Sequence, residues 1–357
     1  MKRKILKSVL CAVLAVVLVV AGYLSYVVLS YSRIEDNQVL TPVASGTDET
    51  VQTGKNYTVL TQNIGFGAYT PEFTFFMDGG EKSWAESEES VISCVNEAAD
   101  TIKGHNADFM LIQEVDFDST RSYHIDQRKM LQDVFPGYSS VFAVNYDSAF
   151  LMYPFNEPHG ASRAGIMTLS RYNVTSAVRR SLPISESFSK FLDLDRCYSV
   201  SRIPVENGKE LVLFNVHLSA YGGSDEIRAA QMNMLFTQMD EEYKKGNYVV
   251  TGGDFNHDFT GDSTKKLNDG METDFGWAQP FPIEMLPDTL IRCDSYDGER
   301  LIPTCRNCDI PYEEGNPVFI VDGFIVSENV EVISTENIDT SFSFSDHNPV
   351  KLVFSLK

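Results

Sequence analysis

The sequence predicts an α/β fold in which mixed β-sheets pack together under a cover of helices, carried behind an N-terminal membrane helix. From Tyr57 onward, short β-type runs alternate with segments of helical period, and the spacings include both hairpins and crossovers. Apolar residues make up 43% of the 357, enough for a large core, and no long linker interrupts the chain after Tyr57. Val9 to Leu29 carries no charge over 21 positions. As a helix rising about 1.5 Å per residue, that run matches the roughly 30 Å of a hydrocarbon core.

The N-terminus sets the expected orientation. Lys2, Arg3, Lys4 and Lys7 precede the apolar run, and Glu35 and Asp36 follow it. The positive-inside rule then predicts a single-pass cell-membrane protein whose main body is extracytoplasmic. A cleaved signal peptide competes with this reading, with Val19-Val20-Ala21 as a passable cleavage site, but the apolar run continues past it. The division expected is an anchor over 1–30, a polar stalk over 31–56 that is too poor in apolar residues to fold, and one folded domain over 57–357.

Within that domain, Tyr57–Asn63 reads as a strand. Glu88–Lys103 carries a stripe of Val91, Ile92, Val95, Ala98, Ala99 and Ile102 with Gly104 as its stop, so it reads as a helix. Asp108–Gln113 is a buried-type strand, and a short helix over Gln127–Phe135 ends before Pro136. Strands follow at Ser139–Val144, Ala164–Ser170, Val174–Val178, Tyr198–Pro204 and Glu210–His217. Ser224–Lys245 is a helix with Ser224 as its cap, acids at its start and lysines at its end. Strands resume at Tyr248–Thr251, Val318–Val326 and Val350–Leu356. The stretch at about 268–316, rich in Pro, Gly, Asp and Cys, reads as a loop-rich insertion. Its Cys293, Cys305 and Cys308 suggest a disulfide outside the membrane; zinc lacks an obvious fourth ligand, and free thiols stay open. Cys94 and Cys197 fall in apolar patterns and read as core.

Charge narrows the partners. The chain has a formal net charge of −21, and beyond residue 56 it holds 23 basic against 46 acidic residues. Such a surface repels polyanions, which argues against nucleic acid as a partner unless a bound cation and a local basic patch reverse the sign.

Polar residues recur at the ends of the expected strands: Asn63, Glu114, His217, Asp254 with Asn256, Asp322, and Asp346 with His347. Each alone has an ordinary explanation. Asn63, Asp254 and Asn256 suit turns, Glu114 a strand end, His217 a satisfied core histidine, Asp322 an Asp-Gly hairpin, and Asp346-His347 a turn before Pro349. The ordered series Asn … QE … HL … GDFN … VD … SDHNPV, however, resembles the endonuclease/exonuclease/phosphatase superfamily over roughly Tyr57 to Leu356. That superfamily includes DNase I-like nucleases, abasic-site endonucleases, inositol-polyphosphate phosphatases and magnesium-dependent sphingomyelinases. The resemblance implies a four-layer α/β sandwich of two packed mixed sheets flanked by helices.

It also implies roles. Asn63, Glu114 and Asp346 match metal-associated positions, with Glu114 the direct ligand. His217 matches a phosphate contact, Asp254 the acid that handles the water or leaving-group proton, and Asn256 the amide holding the phosphoryl group. Asp322 matches the partner of His347, the general acid/base or phosphate-binding histidine. Elementary chemistry agrees: hard Mg2+ (or Mn2+) prefers carboxylate oxygens and offsets charge in an in-line displacement. With no nucleophile for a phosphoenzyme among these residues, direct attack by water on a phosphoester is expected. A lipid or small-molecule phosphoester substrate is favoured over the alternatives of an extracellular DNase I-like endonuclease and an inactive metal-binding scaffold. Arg163 is either a phosphate-binding residue or a solvated loop arginine. Arg121, Tyr123, His124 and His159 are weaker candidates. The aromatic segment Phe66–Phe76 is either a lipid-contacting loop or core.

Overall fold

A computed structural model describes residues 2–191, 194–220, 224–268, 277–295, 301–313 and 315–357. Within the expected insertion, 269–276, 296–300 and 314 lie outside the described residues.

The elements in order are α1 (Lys2–Ser30), β1 (Gln38–Leu40), β2 (Asn56–Asn63), α2 (Glu88–Gly104), β3 (Phe109–Asp116), α3 (Gln127–Val134), β4 (Ser139–Asp147), β5 (Arg163–Ser170), β6 (Ser176–Ser181), β7 (Cys197–Pro204), β8 (Glu210–His217), α4 (Asp225–Lys244), β9 (Tyr248–Asp254), α5 (Ser263–Leu267), β10 (Leu290–Cys293), β11 (Cys305–Arg306), β12 (Val318–Phe319), β13 (Asp322–Ser327), β14 (Val330–Asn337) and β15 (Val350–Leu356). They form a seven-stranded sheet, β1-β6-β7-β8-β9-β13-β10, and a six-stranded sheet, β14-β15-β2-β3-β5-β4. Each sheet contains one parallel pair, β8–β9 and β2–β3, and antiparallel neighbours elsewhere. A helix makes each parallel crossover: α2 joins β2 to β3, and α4 joins β8 to β9. The expected four-layer arrangement of two mixed sheets flanked by helices is present.

Burial follows the period of each element. Between the sheets, Tyr57, Val59, Phe109, Leu111, Leu213, Val250, Phe324 and Phe354 form one core. On the outer face of the six-stranded sheet, Val91, Val95, Ala98 and Ile102 of α2 pack on Met110 and Ile112. On the other outer face, Met232, Leu235, Phe236 and Met239 of α4 cover Val212, Phe214 and Val249. Ser87 caps α2 by accepting from the Ser90 amide at 3.1 Å. Ser224 stands at the start of α4, but there its carbonyl, not its hydroxyl, serves the helix amides.

The structure corrects several expectations. Residues 31–56 are not a free stalk: they form a strap bound across both sheets. β1 pairs with β6, Val43 exchanges two backbone hydrogen bonds with Ser140, Thr47 donates to the Arg171 carbonyl, and the fully buried Val51 bridges to Pro204 and Glu206. Composition failed here because the strap is held mainly by backbone pairing to distant strands. The expected single strand Val318–Val326 is two, because the Val321 and Asp322 amides donate to Thr304 Oγ1, which interrupts the ladder. The insertion supplies an edge strand, β10, and half of the β11–β12 ribbon. All six cysteines are free, so the disulfide expectation fails: Cys293 sits in the inter-sheet core and Cys308 in the α2-side core. Phe66, Tyr69, Phe73 and Phe75 are buried against α2, so the aromatic segment is core.

Helix α1 is exposed along nearly all its length, and it is long and apolar enough to cross a membrane, a property shared with signal sequences.

Candidate active site

Both parallel pairs point their C-terminal ends to the same side, where chain reversals leave side chains free of the ladders. Asn63 ends β2, His217 ends β8, and Asp254 ends β9. Asp322 begins β13 rather than ending a strand. Because β13 runs antiparallel to β9, Asp322 pairs directly with Asp254 in register. The turn before β15 brings Asp346 and His347 to the same place, pinned by Ser345, whose Oγ donates to the Asn63 carbonyl (2.8 Å) and accepts from the His347 amide (3.1 Å).

Local backbone geometry aims these groups. The β3–β5 register shifts between Ile112 and Val115, and Glu114 sits in that bulge with φ +54°, a left-handed conformation that turns it out of the ladder. Asn256 is likewise left-handed, at φ +50°. Gly253 allows β9 to lie tight against β8, since a Cβ there would meet the Val216 carbonyl oxygen at 2.1 Å.

The side chains converge in one cleft, which Glu114, His217, Asp254, Asn256, Asp346 and His347 help to line. Asn63 Nδ2 donates to Glu114 Oε1 (3.2 Å) and Asp254 Oδ2 (3.1 Å), while its Oδ1 accepts from the Gly65 amide (2.9 Å). Asn63 therefore orients carboxylates here, with its oxygen committed to the backbone. The Asn256 amide donates to Asp254 Oδ1 (2.9 Å), and its side chain reaches the Leu218 carbonyl (2.8 Å). His217 Nε2 lies 3.5 Å from Asp254 Oδ2 and 3.9 Å from Glu114 Oε1. His347 Nδ1 is 2.8 Å from Asp322 Oδ2, and its Nε2 faces Asp254 (3.9 Å), Asp346 (4.0 Å) and Cys305 Sγ (3.5 Å).

Electrostatics separates these groups. Burial pushes Asp254 up to about 7, against the pull of His347 and with the push of Asp322. Burial raises Asp346 to about 7 as well; His347 opposes this and the Glu114 charge adds to it. Burial also works against charge on His347, but Asp322, bonded to its Nδ1, outweighs it with help from Asp346 and holds the ring well above its ordinary value. His217 is driven well below its ordinary value by burial, then by Arg196, His347 and Arg121. His347 is thus an imidazolium beside the neutral imidazole of His217, with Asp254 and Asp346 poised near neutrality.

Ligand atoms of Asp254, Asp322 and His347 lie within 4.8 Å of one another. His347 Nδ1 is already engaged by Asp322, so this trio suits proton handling better than ligation. Glu114 and Asp346 form the better cation cradle: they are hard oxygen donors in one cleft, close enough for one to raise the other. The nearby Cys305 and Cys308 are held protonated by burial, which removes thiolate from the donor set. The residues present fit a hard divalent ion.

Arg163 is not brought to this cleft. It is half-exposed, stacked over Phe117 and near Asp118 and Asp147. His124 is exposed and paired with Asp118, and the Tyr123 hydroxyl is spent on the Ala85 and Glu86 carbonyls. His159 and Arg121 do line the cleft. Arg121 is buried over Phe66 and doubly bonded to Asp116. Sequence reasoning missed Arg196 and Arg306, both buried and lining the cleft; Arg306, between Cys305 and Asn307, donates to the Thr70 carbonyl (2.9 Å). The only available signal was a basic residue inside the CRNC stretch.

Known proteins agree with this architecture. A structure of an endonuclease/exonuclease/phosphatase from Beutenbergia cavernae aligns with a TM-score of 0.56 at 18% identity, covering 85% of this chain and 72% of that one. ANGEL2, a 2',3'-cyclic phosphatase solved with adenosine-2',3'-vanadate, gives 0.56 at 16% identity, covering 84% and 96%. A humanized D. rerio TDP2 gives 0.53 at 11%, covering 84% and 99%. No curated protein matches the sequence. Residues 60–347 match the Endonuclease/Exonuclease/phosphatase family, whose members are phosphoester hydrolases typically using a divalent metal. The chain belongs to the endonuclease/exonuclease/phosphatase family.

Proposed function

We propose that this protein is a membrane-anchored, Mg2+-dependent phosphoesterase that hydrolyses a lipid or small-molecule phosphoester by direct attack of water. The observation that carries the reading is the meeting of Asp254 with the Asp322–His347 pair beside the Glu114–Asp346 carboxylates in one cleft. Asp254, poised near neutrality, takes the proton of the attacking water; Asn63 and the Asn256 amide hold its two oxygens in place. His347, kept charged by Asp322, donates from Nε2 to a phosphoryl oxygen. Neutral His217 and the second N–H of the Asn256 side chain, whose first is held by the Leu218 carbonyl, position the phosphoryl group. Glu114 and Asp346 would hold the cation, with Asn63 fixing Glu114; when bound, Mg2+ polarises the phosphoryl oxygen and offsets charge in the transition state.

The lipid or small-molecule preference and the extracytoplasmic orientation are supported by the acidic body and by the charges flanking α1. Asp254→Ala and His347→Ala should each abolish Mg2+-dependent hydrolysis of bis-p-nitrophenyl phosphate with the circular-dichroism spectrum unchanged. Activity surviving both changes would sink the assignment. A panel of sphingomyelin, phosphatidylinositol phosphates and DNA identifies the substrate; preferential turnover of DNA would replace the lipid reading with the nuclease one.

A further inference from the structure

Between β4 and β5 the chain presents Ala149-Phe150-Leu151-Met152-Tyr153-Pro154-Phe155, seven residues without a charge. Tyr153 is 65% and Phe155 81% exposed, and Phe150 and Met152 are also exposed. This is not a frayed loop. Leu151 exchanges two backbone hydrogen bonds with Gly160 at 3.0 Å, and the Ser148 amide donates to the Ser162 carbonyl. Its base is tied to the C-terminal part of α1. The Tyr23 hydroxyl donates to the Phe150 carbonyl (3.2 Å) and accepts from the Met152 amide (2.9 Å), and the Tyr26 hydroxyl accepts from the Phe150 amide (3.1 Å). On its other side the Tyr153 ring packs edge-on against Phe76, which in turn touches His159 of the cleft wall. Beside Phe76, Met77 is half-exposed and also lines the cleft. Helix, apolar loop and cleft wall are therefore contiguous.

We propose that Phe150, Met152, Tyr153 and Phe155 form an interfacial docking surface for the lipid bilayer that α1 enters, and that it sets the cleft against the headgroups of that leaflet. This rests on the anchoring reading of α1. Continuity with α1 selects a bilayer as the occupant: tyrosines toward the C-terminal end of an apolar helix sit where an aromatic belt meets the headgroups. Aromatic and thioether side chains adjoining that belt enter the interface. The domain's net negative charge disfavours electrostatic docking on anionic lipid, so insertion is apolar and salt-insensitive. The arrangement presents headgroup phosphoesters, rather than soluble ones, at the mouth of the cleft.

The test is depth-dependent quenching of full-length Phe155→Trp in phosphatidylcholine vesicles, read against the wild type, whose Trp84 and Trp277 supply the background. The introduced indole should add blue-shifted emission, at least halved by phosphatidylcholine brominated at shallow acyl positions and unchanged by 0.5 M salt. Carbonate extraction in parallel reads α1 independently. Protein retained after carbonate, with the added emission unquenched, overturns the docking surface and leaves the anchor standing. Protein released with that emission unquenched overturns both. Quenching only when a second membrane protein is present overturns the bilayer as occupant.

Discussion

Asp322→Asn isolates the role of the Asp322–His347 pair. Asparagine keeps the shape of the side chain and an oxygen able to accept from Nδ1–H, but it removes the charge that holds His347 protonated. Both groups are buried, with side chains 1% and 7% exposed, and the contact is 2.8 Å. Breaking a buried charge pair by neutralising one partner costs about 3–5 kcal/mol. That cost is read in the thermal melt; in kcat, a positioned group that handles a proton in the transition state contributes roughly 10²–10⁴-fold, so a loss of that size is expected. Backbone placement should survive, because Thr304 Oγ1 accepts from the residue-322 amide whatever the side chain. The assay is initial rates on bis-p-nitrophenyl phosphate at saturating Mg2+, with a thermal melt alongside. A folded variant with kcat within threefold of wild type would refute the charged-His347 mechanism. A large rise in KM at unchanged kcat would place the pair in substrate binding alone.

Four further outcomes are expected. Burial, then Arg121, lowers His159 to about 3; the unfolded ring, near 6.5, takes up a proton first as pH falls, so stability is intact above about 6.5 and declines toward pH 3, by about 2 kcal/mol at pH 5. Urea titrations of wild type and His159→Gln across pH 7 to 4.5 should show a shallower acid loss in the variant. Arg163→Ala should leave kcat/KM within about twofold and stability within about 1 kcal/mol, since its ion pairs are surface pairs, whereas Arg121→Met strands the buried Asp116 and should cost about 3–5 kcal/mol by chemical denaturation. Thiol titration of the denatured, unreduced protein should return all six cysteines.

The sequence disclosed the parts of the site that end apolar runs. Asn63, Glu114, His217 and Asp254 follow buried strands directly, so chain order alone put them at strand ends, and both crossover helices carried a clear 3.6-residue stripe or flanking charges. It concealed what depends on partners far along the chain. The break that makes Asp322 the start of a strand was invisible, because nothing local marks the Thr304 hydroxyl that interrupts the ladder before it. The strap was hidden because Val39 and Val43 are exposed and only Val51 is fully buried, so its polar composition was real while its order comes from other strands. Arg196 and Arg306 read like any surface arginine. Phe66–Phe76 and Phe150–Phe155 are both aromatic-rich, and only packing separates the buried run from the exposed one.

The strap has a consequence for how such an enzyme searches. A flexible tether of 26 residues would let the catalytic body roam roughly 30 Å from its point of attachment. With residues 31–56 laced to both sheets and the Arg33–Asp195 pair at their start, almost none of that slack remains. On the proposed anchoring through α1 and the proposed lipid substrate, a body fixed so close to its anchor would meet substrate by lateral diffusion within a plane, so its rate would answer to the mole fraction of substrate in that plane rather than to the amount in bulk.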